Sequence, residues 1–553
     1  MQLRIKYPFL LAAVAIILFA SCSKTNKEGR YIPEQAIFAL HLNGESLSSK
    51  LPWDEIKKNQ LFKEAYEDSN TTALMKSVMD DPENTGIDVK TDIILFVARD
   101  SSVNYMAIEG TIKDEAKFKK FTTEAGKDKA VISEKNGLNF SDSKDMTAAW
   151  NKEKFVLVGD IKSNNSDRYR GLYDSAYTPA PEVKVDRITL AEKIFNLKED
   201  KSLGKDEKFS ELMSEKGDVH FWMNMEELSK VDGLSTAAMG PLSMLNTKKI
   251  YEGSRVTGTL TFENGKLNMD FRSYMGKEMS DLVKKYSGDK IDADMVKRIP
   301  SKNIAGLFVF NFKPEGLREY IKLLGVEGFA NMGTGMLGFT LDDFIKANKG
   351  DIMLAVSDIA QDSSGRPNAS FLFSASIGDK PSFNKLIEAA NKFGKDKFNG
   401  SEGPAVFYNL NDNLFALGNK KQDVDAYIGK AGANSFDFMD KIAGTSGGAY
   451  INFQYIMKTF AKEASRDSLD QAMFDASLKM WDNMVAYSGG NESGASVQHL
   501  EINLVDKSTN SLKQLNNYFS ELGAIKKKKD DRWKTDYSEE PALVDTTTAV
   551  PAK

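Results

Sequence analysis

Tyr105-Met106-Ala107-Ile108-Glu109-Gly110-Thr111-Ile112 runs into a segment carrying Asp114, Phe118, Phe121 and Ala125. The pattern returns at Phe371-Leu372-Phe373-Ser374-Ala375-Ser376-Ile377, followed by Asp379, Phe383, Leu386 and Ala390. In each copy an apolar strand meets an aspartate placed to cap a helix. Apolar residues at i, i+3 and i+7 then mark one buried helix face. Gly126 and Gly394 stand near the expected stops.

Working outward, further blocks recur in the same order, which is the mark of an internal repeat. Ile32-Pro33 with Ile37, Leu40 and Leu42 matches Ile299-Pro300 with Ile304, Leu307 and Val309, and Asp92-Ile93-Ile94-Leu95 matches Asp351-Ile352-Met353-Leu354. Residues 155–159 match 414–418, the second of these with Asn411-Asp412-Asn413 as its hairpin turn. Strands at 217–223 and 447–453 lead in each copy to a long hairpin and a last amphipathic helix. These closing helices carry Met279, Leu282, Val283 and Tyr286, and Leu512, Leu515, Phe519 and Leu522. In the first copy 256–262 and 267–271 alternate around Asn264-Gly265, a pair expected to supply the positive φ angles of a tight turn.

Strand–helix and hairpin elements mix here without the regular alternation that builds a parallel sheet. The expectation is therefore an α+β fold of two homologous units, 31–297 and 298–525, each an antiparallel sheet with helices packed on one face. Two such units side by side create a cleft or an extended face, or only lengthen a spacer; both readings stay open.

The chain has 553 residues, a net charge of -5 and 74 basic against 79 acidic side chains, so no electrostatic ground exists for a nucleic-acid partner. At the N-terminus Arg4 and Lys6 precede an apolar run over 7–20, too short to span a bilayer, that ends in Leu18-Phe19-Ala20-Ser21-Cys22. This resembles a lipobox. It predicts a signal peptide over 1–21, a lipidated cysteine at Cys22 bearing palmitate-like acyl chains, and a polar tether over 22–30. An ordinary secretory signal with a spare thiol, or an uncut anchor, is the alternative. Cys22 is the single cysteine, so lipidation accounts for the whole cysteine count and no internal disulfide can form. Two or three acyl chains anchor a protein durably where one does not. After Cys22 no apolar run approaches the length of a membrane span, which places the folded part in an aqueous compartment. The end, 526–553, begins with four lysines and turns Thr-, Pro- and Ala-rich, and is expected to be a disordered charged tail.

Signals for chemistry are sparse. Histidine, the commonest general base and metal ligand, occurs three times, as His41, His220 and His499. They are far apart in sequence, each in an alternating apolar segment, and read as residues on a sheet face. No zinc, calcium-loop or phosphate-loop pattern is present, so no metal or cofactor is expected. Gly444-Thr445-Ser446-Gly447-Gly448 matches a nucleophile elbow, but its helix precedes and its strand follows, the reverse of what the elbow needs. Gly333-Thr334-Gly335-Met336-Leu337-Gly338 matches a dinucleotide fingerprint but follows a helical stretch, and is read as a loop. The acidic pairs Asp80-Asp81, Glu226-Glu227 and Asp342-Asp343 read as helix starts or solvated faces, not as catalytic acids. Trp53, Trp150, Trp222 and Trp481 are expected to be partly buried; Trp533 lies in the tail.

The lipobox, the Ile-Pro lead-in, the segment from Asp80-Asp81-Pro82 to Gly86-Ile87-Asp88 and the doubled architecture together resemble a family of Gram-negative lipoproteins grouped as domain of unknown function 4836. The resemblance implies a secreted, lipid-anchored chain and carries over no functional residue. Ser23, where aspartate would retain a lipoprotein in the inner membrane, leans the address toward the outer membrane; periplasmic and surface faces both stay open. Such bacteria also resemble one another in O-glycosylating Asp-Ser/Thr-small sequences, which makes Ser175, Ser468 and Thr546 candidate sites. The function expected is a noncatalytic envelope protein that binds or scaffolds, anchored by its N-terminal lipid, with an envelope protein or a glycan as partner. A carboxylate-based hydrolase or lyase of an envelope or dietary polymer is the alternative, and an apolar-groove carrier a third reading.

Overall fold

The computed structural model describes residues 27–101, 103–125, 130–144, 146–161, 186–231, 247–362, 365–397, 406–429, 434–461 and 467–538. Cys22, Ser175 and Thr546 lie outside them. Among the described residues an 18-stranded sheet organises the chain, and every strand pair in it is antiparallel. Its strands are β1 Phe38–Leu42, β2 Ile93–Asp100, β3 Val103–Thr111, β4 Val131–Lys135, β5 Leu138–Asp142, β6 Met146–Trp150, β7 Lys154–Asp160, β8 Val219–Asn224, β9 Arg255–Glu263 and β10 Lys266–Tyr274. They continue with β11 Ile304–Asn311, β12 Asn348–Gln361, β13 Pro367–Ile377, β14 Phe407–Leu410, β15 Leu414–Gly418, β16 Gly447–Asn452, β17 Trp481–Glu492 and β18 Ala495–Leu504.

The repeated local signals become elements. Asp114 Oδ1 accepts from the Lys117 backbone N–H at 3.0 Å and Asp379 Oδ2 from that of Ser382 at 2.8 Å, so both aspartates cap their helices. The first helix is Glu115–Ala125; the second, Lys380–Lys397, runs past Gly394. At the β9–β10 turn only Gly265 takes a positive φ, +68°, while Asn264 bridges to Asn510, a correction to the expected pair of left-handed residues.

The two halves share one sheet. β10 pairs with β18 from Lys266↔Asn503 to Tyr274↔Ala495. From that seam one arm runs β9, β8, β1, β2, β3, β7, β6, β5, β4. The other runs β17, β16, β11, β12, β13, β15, β14.

Helices cover both faces of each arm, not one face as expected. On β6 and β7 Ala149, Val156 and Val158 pack under the helix Arg187–Phe195, through Leu190, Ala191 and Ile194. Their neighbours Ala148, Trp150 and Phe155 turn the other way, against Phe118. In the second arm Leu414 and Ala416 face Val424 and Tyr427, whereas Phe415 faces Phe383. Successive strand residues point to opposite faces, and these strands are apolar at consecutive positions, so each face has to be covered.

Two further expectations are corrected. The helix Ser511–Ser538 extends well beyond residue 525. Lys529 Nζ pairs with Asp470 Oδ1 at 2.8 Å and Arg532 Nη2 with Asp467 Oδ1 at 3.0 Å, so the start of the charged run is docked on the helix Ser468–Met480. The glycine-rich 333–338 is not a loop: Glu327–Leu337 is helical and stops at Gly338, whose φ of +88° is the left-handed cap glycine permits.

Candidate binding surface at the seam

Where the two arms meet, the sheet has unlike faces. Leu260, Phe262, Leu267, Ile502 and Leu504 pack under Leu512, Leu515 and Tyr518 of the long C-terminal helix. The alternate residues are polar: Thr259, Thr261, Asn268, Asp270, Glu501 and His499. One row across this face runs His41, His220, Thr259, Asp270, His499, Tyr487, each directly opposite the next on an adjacent strand. All three histidines, dispersed in sequence, therefore stand on a single rung.

Hydrogen-bond geometry assigns their protons. His220 Nε2 is 3.1 Å from the carbonyl oxygen of Glu215, which only accepts, so Nε2 carries hydrogen. Burial holds His220 below the usual imidazole range, which leaves it neutral with a lone pair on Nδ1. That nitrogen lies 3.0 Å from His41 Nδ1, which therefore donates. His41 Nε2 lies 3.1 Å from Asp92 Oδ1. The contacts run from Asp92 through the two imidazoles to a backbone carbonyl. The His41 hydrogen bond in turn holds the Asp92 carboxyl below its ordinary range. His499 forms a separate dyad, its Nδ1 2.5 Å from Asp270 Oδ1 and its ring 4.9 Å from that of Tyr487. Both His220 and His499 press on a glycine: a Cβ at Gly217 would lie 2.9 Å from His220 Nε2, and one at Gly489 2.6 Å from His499 Nε2.

The remaining seam charges are also matched. Arg272 Nη1 meets Glu215 Oε1 at 2.6 Å, and Glu501 accepts from Lys441 and, at 3.4 Å, from the Tyr487 hydroxyl. Beside them the buried Asn268 Oδ1 has no hydrogen-bond partner among the described residues.

The carboxylate pairs marked in the sequence do structural work elsewhere. Asp81 Oδ1 accepts from the Glu83 N–H at 2.9 Å, Glu226 Oε2 from the Gly253 N–H at 3.0 Å, and Asp343 completes a capping box with Thr340. Asp342 pairs with Arg318. Ser446, in the elbow-like motif, has its hydroxyl 3.2 Å from that of Ser488. Ser468 is exposed in the first turn of its helix, and Trp150 and Trp222 are buried more completely than expected. Among the described residues no group of three or more histidine, aspartate or glutamate side chains could hold a metal ion, and no helix is long and apolar enough to cross a membrane.

A second concavity lies on the apolar side. The helices Gly44–Lys50, Trp53–Ile56, Gln60–Glu67 and Ala73–Asp80 contain no buried residue. Under them runs a cleft of about 1030 Å³ lined by side chains including Leu42, Leu47, Leu51, Trp53, Val78 and Ile93.

Residues 30–403 match the family model described as Domain of unknown function (DUF4836). The chain belongs to that family. The match starts just before the first strand and ends after the helix Lys380–Lys397, so it takes in the first arm and part of the second. No curated protein matches the chain. Solved structures similar to parts of it include crystal form IV of TP0453, at 9% identity over 45% of this chain and 81% of that one with a TM-score of 0.24. Crystal form III of TP0453 gives 10% identity over 49% and 90%, with the same TM-score of 0.24. Similarity at that level carries no inference about fold or activity.

Proposed function

We propose that this chain is a lipid-anchored, noncatalytic protein of the Gram-negative envelope, held at the outer membrane through Cys22, and that the polar sheet face at the β10–β18 seam is its binding surface. The observation that carries this reading is the state of the seam charges. Asp270, Glu215 and Glu501 each engage a cationic or imidazole partner, and His41 and His220 spend their ring nitrogens on each other, Asp92 and a carbonyl. A general acid or base needs a free pKa-tuned group aimed at a reacting atom. These groups instead form a preorganised polar surface, with Asn268 Oδ1 left to accept.

Descent from two homologous units is part of the proposal. Its support is the strand order: outward from the seam, β9-β8-β1-β2-β3-β7-β6 corresponds step for step to β17-β16-β11-β12-β13-β15-β14, with β4 and β5 added to the first arm. The binding surface is then the face where the two copies meet through equivalent strands.

Two experiments test this. In cells, a photo-crosslinker at Thr261 should capture an envelope protein or glycan in the native chain and fail to in Arg272→Glu; no specific capture in either sinks the binding reading. Native protein should fractionate with membranes and Cys22→Ala should not; equal partitioning would replace the lipid anchor by an uncut signal anchor.

The cleft of about 1030 Å³ favours a second reading, a carrier of an apolar ligand. Fluorescence of an apolar dye that rises with native protein and is lost in Trp53→Asp would support it over the seam.

A further inference from the structure

At one end of the seam face the sheet carries a row of three asparagines. Asn452, Asn483 and Asn503 stand directly opposite one another on β16, β17 and β18, at the roughly 4.8 Å spacing of neighbouring strands. Their amides are partly committed in a way that fixes what each still offers. Asn452 Oδ1 accepts from the Tyr455 backbone N–H at 2.9 Å, which leaves its NH2 group. Asn503 Nδ2 donates to Asn483 Oδ1 at 2.9 Å, which leaves the Asn483 NH2 and the Asn503 carbonyl oxygen. The row thus presents uncharged donors beside an uncharged acceptor.

This row lines a recess of about 480 Å³. Its next rung is Tyr450 opposite Val485. The Tyr450 ring stacks on Phe438 with centroids 4.2 Å apart and planes 22° apart, and Phe438 stacks on Phe436 at 5.2 Å and 12°. An aromatic wall held by two further rings is rigid and loses little entropy when a ligand meets it. Burial pushes the Tyr450 hydroxyl up to about 12, so it stays protonated and can donate at neutral pH. Lys302, Asp437, Lys441 and Lys507 also line the recess, Lys507 with its charge engaged by Asp482 at 2.8 Å and Lys441 with its charge engaged by Glu501.

The chemistry selects among ligand classes. Neutral amides are poor metal ligands and give little purchase on a nucleic-acid backbone. An acyl chain would leave the whole asparagine row desolvated and unpaired. A sugar ring fits both surfaces, because its hydroxyls donate and accept, as the row requires, while its C–H face suits an aromatic wall. We propose that the recess bounded by Asn452, Asn483, Asn503 and Tyr450 binds a neutral saccharide unit. This deepens the reading of the seam as a binding surface and rests on it.

The test uses the full-length chain in detergent micelles, titrated calorimetrically with oligomers of N-acetylglucosamine, of glucose and of mannose. The expected result is saturable binding of at least one oligomer. Asn483→Ala should weaken it about tenfold and Tyr450→Phe, which keeps the stack, less; Lys120→Ala, exposed on the helix Glu115–Ala125 of the first arm, should leave it unchanged. Melting temperatures within experimental scatter of native show that the variants are folded. No binding of any oligomer, or binding undiminished in a folded Asn483→Ala, overturns the saccharide site. If Thr261 crosslinking still captures a partner in that case, the seam reading survives alone; if capture is also lost, both fall.

Discussion

The Nδ1 atoms of His41 and His220 lie 3.0 Å apart, so one hydrogen serves two nitrogens and ties β1 to β8 through their side chains. The pair's other ends are tied to Asp92 and to the Glu215 carbonyl, which links β1, the start of β2 and β8. The neutral state of His220 has consequences for stability.

His220 has a folded-state pKa below the ordinary value of 6.5, chiefly through burial. Above that value both folded and unfolded forms are neutral and the group contributes nothing to the pH dependence. Below it the unfolded chain takes up a proton the folded chain refuses, so stability falls as pH falls. Urea midpoints should drop between pH 7.5 and 5.5, and the drop should shrink in His220→Gln. The Asp92 carboxyl, held low, adds its own loss only in stronger acid, below its ordinary value of 3.8.

Glu109 acts in the opposite sense. It stands on β3 opposite Ile94, and burial pushes its carboxyl up to about 8. Its folded pKa is raised, so its contribution is fully present below the unfolded carboxylate value and is lost as pH rises toward 8. Glu109→Gln keeps the shape and removes the ionisation. At pH 8 the substitution should stabilise the chain by roughly 4 kcal/mol, and at pH 4 it should change little, measured by chemical denaturation at both values.

Lys50 and Asp218 form a buried anchor for the first helix. Asp218, 1% exposed, accepts from Lys50 Nζ at 2.6 and 2.7 Å, from the Ser46 hydroxyl at 2.5 Å and from the Phe262 N–H at 2.6 Å. Lys50→Met leaves that carboxylate buried without its cation, which should cost about 3–5 kcal/mol. A loss under about 1 kcal/mol would mean that Asp218 is served by its two neutral donors alone.

The C-terminal helix should be ordered to Arg532. Hydrogen exchange is expected to show amide protection over 526–532 that falls in Asp467→Asn, which loses the charge that holds Arg532. Exposed pairs of this kind are worth about 0.2–1 kcal/mol each, so global stability should barely move.

Much of the architecture was readable from the chain because it is locally encoded. The capping aspartates Asp114 and Asp379, the i, i+3, i+7 stripes behind them and the alternation around Gly265 act over a few residues, and each became the expected element. Family membership was readable as well, from the Ile-Pro lead-in, the Asp80 to Asp88 segment and the repeated order of blocks. The helix 327–337 was misread because glycine signals a loop locally, yet the segment is helical although it buries no residue.

The seam face was not readable from the chain. Nothing local to His41, His220 and His499 indicates a shared rung, since that depends on the register of β1 on β8, β8 on β9, β9 on β10 and β10 on β18, and the first and last of these join residues 179 and 229 positions apart. The same holds for the row Asn452, Asn483, Asn503 and for the covering of both sheet faces. The sequence by itself determined the capped and alternating segments, such as the helices after Asp114 and Asp379 and the strands around Gly265, because capping, periodicity and turn chemistry are short-range. Only the tertiary structure decided which polar residues meet, because register is set by long-range packing and a one-residue slip would send every one of them to the opposite face.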